Sequence, residues 1–240
     1  MSVSVFIASP CLDGRTFSFH TASVATEVAR LGGYGIRVEY VPLVNFPVLD
    51  RARNLYVKHF LTTKHSHLLF WDSDCSVSEG SLGSLLLDEK AVVGGIGTKK
   101  KEVTGLLDDF NGYHADPNPV GRLLRMQYIS TQFLLIHRSL FSVLASKGVY
   151  DDWFKISHPS TGPTWTEDFA FSALVRKHGF EVWGDLGVQV IHYGVKAYLG
   201  DYGQALFRHR QTGLIPEQTP PTGGELSARP SNQADPAMRL

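Results

Sequence analysis

The stretch HLLFWDSDCS, residues 67–76, sets two negative charges directly after a run of apolar residues. The apolar run at 68–71 is short and rich in strand-forming residues, which predicts a buried β-strand. Asp72 and Asp74 follow it, and side chains at i and i+2 of an extended segment point the same way. Two carboxylates at a strand end can share Mg²⁺ or Mn²⁺, and these ions also take phosphate oxygens of a substrate. The same letters also suit an ordinary turn, where Asp and Ser are common.

Composition and charge exclude several classes of protein. The chain has 240 residues, of which 43% are hydrophobic and 19% charged, as in ordinary soluble globular proteins. Lys plus Arg and Asp plus Glu number 23 each, which gives no support for a general nucleic-acid-binding or membrane-adhering surface. The basic run TKKK at 98–101 is interpreted as a solvated loop. Two cysteines, Cys11 and Cys75, lack framework spacing and indicate a reducing compartment.

The two ends of the chain carry little sign of targeting. No apolar run approaches the roughly 20 residues of a membrane span. The N-terminus MSVSVFIASPC lacks the basic region of a signal peptide, so we predict a cytoplasmic protein with no membrane span. Residues 216–240 are rich in Pro, Gly, Ser and Gln, which predicts a disordered tail whose removal leaves the fold intact. We therefore expect one folded domain over residues 1–215.

Strands alternate with helices along most of this domain. Strands are predicted at 3–8, 36–43, 68–71, 91–96, within 127–137, at 180–183 and at 188–192, with helices at 17–31, 51–62, 79–87, 138–147 and 167–178. This alternation predicts an α/β fold, in which helices flank a mostly parallel sheet with right-handed crossovers. The polar, turn-rich segment at 103–126 is expected to be a long loop or a flap.

Polar side chains follow several of the predicted strands. Asp13 follows the first strand, Asp72 and Asp74 follow the third, and His192 ends the last. Ligands of parallel α/β sheets bind at these carboxyl ends. A neutral imidazole beside carboxylates is a good ligand for Mn²⁺, although a hydrogen-bonded core or rim position is commoner for any one histidine.

Two further motifs place charged side chains at helix starts. In WTEDFAF, Glu167 and Asp168 lie where the helix dipole stabilises negative charge, and an ionised carboxylate there can take a proton from an attacking hydroxyl. Acidic residues are also common in first helical turns for stability alone. In DRARN, Arg53 and Asn54 open a helix whose N–H groups and guanidinium favour anions, whereas Arg51 fits a solvated face equally well.

Taken together and in order, these motifs resemble the GT-A glycosyltransferases, most closely the small soluble kind of bacteria and their phages. The resemblance rests on RARN, the apolar strand into DSD, VVGG, FLLIHRSLF and TEDFAFSALVRKHGFEVWGDLGVQVIHYG, and it covers roughly residues 3–195. It implies a Rossmann-like nucleotide-diphospho-sugar transferase fold. It also implies transfer of a sugar from a nucleotide donor, most commonly a UDP-sugar, to a hydroxyl acceptor.

The resemblance also implies roles for individual residues. DSD would be the metal-binding motif, and Asp72, Asp74 and His192 would hold Mn²⁺ or Mg²⁺. Asp168 would be the base if the reaction inverts and would only position substrate if it retains, with Glu167 as the alternative residue. The residues implied to line the nucleotide site are Ser9, Pro10, Cys11, Asp13, Arg53, Asn54, Asp72, Ser73 and Asp74. The acceptor is left open among a glycan, a protein, a small molecule and a modified DNA base, the last mildly disfavoured by the neutral charge.

Three other functions remain as alternatives. A haloacid-dehalogenase-type phosphatase also has a strand running into DxD, but it expects Thr or Val at Ser76 and an acidic residue at Gln189. A nucleotidyltransferase needs a glycine-rich phosphate loop with Lys or Arg after the first strand, and none is present there. A non-catalytic nucleotide-sugar or glycan-binding module would need neither the second acidic motif nor the histidine.

Overall fold

A computed structural model of the chain describes residues 2–11, 14–44, 48–156, 166–194 and 197–212. The helices are α1 (Ser18–Gly33), α2 (Leu49–Thr62), α3 (Ser81–Leu87), α4 (Arg138–Ser146), α5 (Glu167–Lys177) and α6 (Tyr202–Thr212). The strands are β1 (Ser4–Cys11), β2 (Arg37–Val44), β3 (His67–Trp71), β4 (Cys75–Val77), β5 (Val92–Gly94), β6 (Gly112–His114), β7 (Leu123–Ile129), β8 (Phe133–His137), β9 (Val182–Asp185), β10 (Val190–Tyr193) and β11 (Ala197–Tyr198). The predicted nucleotide-site residue Asp13 and the tail at 216–240 lie outside the described residues.

Eight strands form the central sheet, in the order β2-β1-β3-β8-β5-β9-β7-β6. Strand β1 is parallel to β2 and β3, and β5 is parallel to β9. Strands β8 and β7 run antiparallel to their neighbours. The prediction of a mostly parallel α/β sheet flanked by helices is confirmed. The antiparallel position of β8 beside β3 was not foreseen, because the alternation of elements along a chain does not specify which strands pair.

Strand β3 shows why its sequence is continuously apolar. Leu68 and Phe70 pack on one side of the sheet with side chains of α2, α4 and α5, while Leu69 and Trp71 pack on the other with α1 and α3. All four side chains are fully buried. Each large apolar side chain buried in this way contributes about 1.5–3 kcal/mol. A strand covered on both faces needs no polar alternation.

The segment at 103–126 is more ordered than the sequence suggested. It contains a short 3₁₀ turn at Leu107–Asp109, strand β6 and the start of β7. The prediction of one long loop there is therefore wrong over these elements. In β7, Leu124 and Met126 are buried while Arg125 between them is exposed. This period-two pattern was the available signal for a strand with one covered face.

A second, small sheet has the order β11-β10-β4. Strand β10 pairs antiparallel with β4, and His192 is the register partner of Cys75. The prediction that His192 ends a strand of the main sheet is therefore wrong. The reason is local, because β4 begins one residue after Asp74 and offers β10 an edge to pair with. The DSD turn thus joins the two sheets.

Within the described residues, the helices are all too short or too polar to cross a bilayer. Cys11 and Cys75 are both buried, and neither forms a disulfide among the described residues.

Candidate active site

The DSD turn is held by backbone hydrogen bonds on both sides. The N–H of Asp72 donates to the carbonyl of Gln132 (3.1 Å), and the N–H of Cys75 donates to the carbonyl of Asp72 (2.9 Å). The N–H of Tyr193 donates to the carbonyl of Asp74 (2.8 Å). The positions of the two aspartates are therefore set by the strands around them.

The carboxylate of Asp72 contacts a buried guanidinium. Arg53 Nη2 lies 3.1 Å from Asp72 Oδ1, and Arg53 Nε lies 3.2 Å from Glu167 Oε1. Arg53 comes from α2, is 1% exposed and lies over the ring of Phe70. This ion-pair cluster of Asp72, Arg53 and Glu167 joins the DSD turn to the first turn of α5. It brings together two acidic motifs that are far apart in the sequence.

Burial and charge act against each other in this cluster. Burial raises the pKa of Asp72, and the attraction of Arg53 offsets only part of that rise. Burial by itself would lower the pKa of Arg53, but the surrounding carboxylates raise it above its ordinary value. Arg53 therefore stays charged. Its Nη1 is buried and has no hydrogen-bond partner among the described residues, which leaves a donor for a ligand oxygen or a water.

Replacing Arg53 with methionine is expected to lower the free energy of unfolding by about 3–5 kcal/mol, because two buried carboxylates lose their cation. Urea unfolding at pH 7 measures this loss. Arg51→Met, at an exposed position of the same helix, is the control and should change the free energy by less than about 0.5 kcal/mol. A loss below about 1 kcal/mol in Arg53→Met would mean that the cluster contributes little to stability.

The two acidic residues at the start of α5 have different surroundings. Glu167 is buried and paired with Arg53. Asp168 is partly exposed and accepts hydrogen bonds from its own helix start, namely from Thr166 Oγ1 and from the N–H of Phe169 (2.9 Å). Burial and the charge of Glu167 raise the pKa of Asp168 to about 6. The expected lowering by the helix dipole is thus outweighed, although the carboxyl still ionises below neutral pH.

Asp74 has two cationic or potentially cationic neighbours. Its Oδ2 lies 2.5 Å from Lys100 Nζ and 3.4 Å from His192 Nε2. Burial alone would raise the pKa of Asp74, but His192 and Lys100 together hold it well below its ordinary value. Asp74 is therefore ionised across the physiological range.

The orientation of His192 suits a metal ligand. Its Nδ1 lies 2.8 Å from the carbonyl of Thr98, which can only accept, so a hydrogen bond between them places a hydrogen on Nδ1. The neutral ring then presents the lone pair of Nε2 towards Asp74, and a protonated ring instead donates from Nε2 to that carboxylate. A backbone carbonyl that accepts from the other ring nitrogen is usual behind a metal-ligating histidine. Gln132 Nε2, which can only donate, lies 2.8 Å from the same Nδ1 and hydrogen-bonds to it only in the tautomer that carries the hydrogen on His192 Nε2.

Asp74 and His192 are the pair that fits Mn²⁺ or Mg²⁺ among the predicted metal ligands. One ligand atom each of Asp74, Cys75 and His192 lies within 4.8 Å of the others. Burial raises the pKa of the Cys75 thiol well above its ordinary value, which disfavours a thiolate, and hard divalent ions prefer oxygen ligands. Asp72 points to Arg53 instead, so the structure does not bring all three predicted ligands to one point.

Several predicted nucleotide-site residues have their side chains inside the fold. Ser9 is fully buried, and its hydroxyl donates to the carbonyl of Trp71 (2.7 Å). Cys11 is also buried, with its thiol directed to the carbonyl of Ser9. Of this segment, Pro10 is partly exposed. A nucleotide here would therefore meet Pro10 and backbone groups rather than the Ser9 hydroxyl or the Cys11 thiol.

Asn54 also has a structural contact. Its Nδ2 donates to the carbonyl of Phe154 (2.6 Å), and the N–H of Phe154 donates back to Asn54 Oδ1 (3.0 Å). This two-point pairing attaches the segment before residue 157 to helix α2. Ser73, at the tip of the DSD turn, is partly exposed, and its carbonyl accepts from the N–H of Phe17 (3.1 Å).

An aromatic stack next to His192 was not predicted from the sequence. The rings of Phe19 and Tyr193 are stacked with centroids 4.9 Å apart, and Phe17 stacks on Tyr193 at 6.0 Å. Phe19 is 60% exposed. The sequence predicted a helix over residues 17–31 but gave Phe19 no role.

Comparison with known proteins gives matches among solved structures. No protein-family model matches the chain, and no curated protein matches it. A197 from STIV is 17% identical with a TM-score of 0.53, over 80% of this chain and 86% of A197. The chain has the GT-A fold.

Two further solved structures are similar at lower scores. GalNAc-T7, solved with UDP, GalNAc and Mn²⁺, is 13% identical with a TM-score of 0.49, over 79% of this chain and 43% of that one. S. aureus TarS 1–349, solved with UDP-GlcNAc, is 14% identical with a TM-score of 0.44, over 83% of this chain and 58% of that one. The match therefore covers less than two thirds of the length of either of these proteins.

Proposed function

We propose that the protein is a metal-dependent glycosyltransferase, which moves a sugar from a nucleotide-diphosphate donor to a hydroxyl acceptor. One observation carries the proposal: Arg53 links Glu167, at the start of α5, to Asp72 in the DSD turn, and the same turn carries Asp74 next to His192. Such a transfer needs oxygen and nitrogen ligands for a metal ion and a separate carboxylate that can act as a base. The resemblance of the sequence motifs to GT-A glycosyltransferases supports the same conclusion.

The donor would bind at the DSD turn. Asp74 and His192 would hold Mn²⁺ or Mg²⁺, which supplies Lewis-acid neutralisation of the leaving diphosphate. Asp72 would act less directly, by keeping Arg53 in place, and Arg53 Nη1 offers a buried donor to a ligand oxygen. A UDP-sugar is the first donor to test, because uridine nucleotides are the commonest donors of GT-A glycosyltransferases.

Asp168 is the better candidate for the catalytic base. The carboxylate of Glu167 forms an ion pair with Arg53, whereas the partly exposed carboxylate of Asp168 has no salt bridge among the described residues. Its pKa of about 6 lies close to neutral pH, where a general base is most effective. In an inverting transfer, Asp168 takes the proton of the acceptor hydroxyl while the hydroxyl oxygen bonds to the anomeric carbon. The bond from that carbon to the diphosphate breaks as the new bond forms, and its electron pair leaves with the nucleoside diphosphate.

The geometry does not favour the phosphatase alternative. In a haloacid-dehalogenase-type phosphatase, the first aspartate of DxD is the nucleophile, but here Asp72 is paired with buried Arg53. The later acidic turn of that family would fall at Asp185. That carboxylate is fully buried and contacts Ser84 and Arg122, which gives it a structural role.

The proposal is tested by incubating the full chain with a panel of nucleotide sugars and Mn²⁺. A glycosyltransferase releases nucleoside diphosphate from its donor, slowly even when water is the acceptor. A non-catalytic binding module shows saturable binding without release, and a phosphatase releases inorganic phosphate from simple esters. Either of these two outcomes would contradict the proposal.

The rate of transfer is expected to rise with pH through a pKa of about 6 and to level off above it, because only ionised Asp168 can accept a proton. A profile of kcat from pH 5 to 8 at saturating donor measures this rise. The residual activity of Asp168→Asn should not show it. A flat wild-type profile over this range would assign the base to another group.

A further inference from the structure

Lys100 contacts the carboxylate oxygen that faces His192. Its Nζ lies 2.5 Å from Asp74 Oδ2, and the same oxygen lies 3.4 Å from His192 Nε2. An ammonium group and a divalent ion cannot both contact one oxygen from the same side. Lys100 was interpreted from the sequence as part of a solvated loop, so this contact is a new element of the site.

The backbone around Lys100 is anchored independently of Asp74. The N–H of Lys99 donates to the carbonyl of Asp109 (2.7 Å). The side chains of Lys99 and Lys101 both pair with Asp108, at 3.1 and 2.5 Å. The two neighbours of Lys100 therefore point to Asp108, and Lys100 alone of this basic run is directed at Asp74.

The ion pair itself is weak enough to be exchanged. The Lys100 side chain is 40% exposed, and ion pairs at such positions gain little because water screens them and a long side chain must be ordered. The aliphatic stem passes Gly194, where an added Cβ would lie 3.4 Å from Lys100 Cδ. The ammonium group can therefore leave Asp74 and still remain beside the site.

We propose that Lys100 is a positioning residue that holds Asp74 in the metal-free protein, yields that carboxylate to the divalent cation, and then contacts the diphosphate of the donor. This inference rests on the proposed function. The charges support it, because a divalent ion beside Asp74 leaves one net positive charge for a sugar-linked diphosphate with two negative charges. Lys100 supplies the missing charge. It therefore competes with the metal when the donor is absent and assists nucleotide binding when the metal is present.

The test is a titration of the full chain with Mn²⁺ alone, followed by calorimetry with UDP at saturating Mn²⁺. Lys100→Met is expected to bind Mn²⁺ about 3- to 10-fold more tightly at low ionic strength, since it removes a competing charge close to the site. The same variant should bind UDP about 10-fold more weakly, as expected for a lost charge-assisted contact to phosphate. Lys101→Met, which removes a charge paired with Asp108 instead, should match wild type in both measurements.

Conservative substitution separates this role from a merely structural one. Lys100→Arg keeps the charge and should retain Mn²⁺ affinity close to that of wild type. Unchanged or weakened Mn²⁺ affinity in Lys100→Met would overturn the competition, and unchanged UDP affinity would overturn the contact to the diphosphate. If Asp74→Asn abolishes Mn²⁺ binding while Lys100→Met leaves it unchanged, only the role of Lys100 fails. If wild type shows no Mn²⁺ binding that depends on Asp74, the proposed function fails as well.

Discussion

Replacing Asp74 with alanine is expected to abolish metal-dependent nucleotide binding. The substitution removes the carboxylate that pairs with both His192 and Lys100, and it leaves those two groups without this anion between them. Loss of an outer-shell partner typically costs 10- to 100-fold in metal affinity, so loss of a direct ligand should cost more than about 100-fold. Calorimetry with UDP and Mn²⁺ measures this, and the heat of binding should fall below detection.

Glu79→Ala is the matched control for Asp74→Ala. This carboxylate is 68% exposed and pairs with Arg30 on the surface, so its removal should leave nucleotide binding unchanged. Melting temperatures of both variants should be measured alongside, because a folded protein that has lost binding is the informative case. Wild-type affinity in a folded Asp74→Ala protein would remove the DSD turn from the donor site.

Replacing Asp168 with asparagine is expected to reduce transfer by about 100- to 10,000-fold, which is the usual contribution of a positioned general base. Donor binding should change by less than about twofold, because Asp168 lies on α5 and contacts only its own helix start among the described residues. Steady-state rates and UDP calorimetry on the same preparation separate the two effects. Transfer at wild-type rates would show that the base lies elsewhere.

Stability provides a second check on this variant. A carboxyl whose pKa is raised by folding binds more protons in the folded state, so the folded protein loses stability as the pH rises from about 4 to about 6. Asp168→Asn removes that ionisation and should be at least as stable as wild type at pH 7. Glu167→Gln, by contrast, takes one anion from Arg53 and should be less stable. Unfolding of Asp168→Asn at pH 7 would contradict this stability prediction.

The elements that carry most of the fold could be predicted because their patterns are local. The apolar run of β3 is explained by helices that cover both faces of the sheet. The spacing of apolar residues in α5 is explained by the packing of this helix on one of those faces. The two acidic motifs were recognised from their positions at a strand end and a helix start. Pairing is not local, and this is why the antiparallel β8 and the separate sheet of β10 were not foreseen.

The partners of the site residues were also beyond sequence reasoning. Arg53 was expected to approach a nucleotide, yet it lies between Asp72 and Glu167, far from both in the sequence. Lys100 was predicted to be solvated because runs of three lysines usually lie in solvated loops. Only the fold shows that Lys99 and Lys101 form ion pairs with Asp108, and Lys100 with Asp74. The side chains of Ser9 and Cys11 face inward, which a strand-end position does not reveal.

The register between β4 and β10 has a consequence for how this site could change during evolution. Because Cys75 is opposite His192, the imidazole keeps its distance from Asp74 only while that two-stranded pairing holds. Inserting or deleting one residue in β10 would turn His192 to the opposite face of the small sheet, while the eight-stranded sheet stayed intact. A descendant with such a change would keep the main sheet and separate Asp74 from His192, so loop lengths near residue 190 would show the loss of the proposed metal site before its other motifs do.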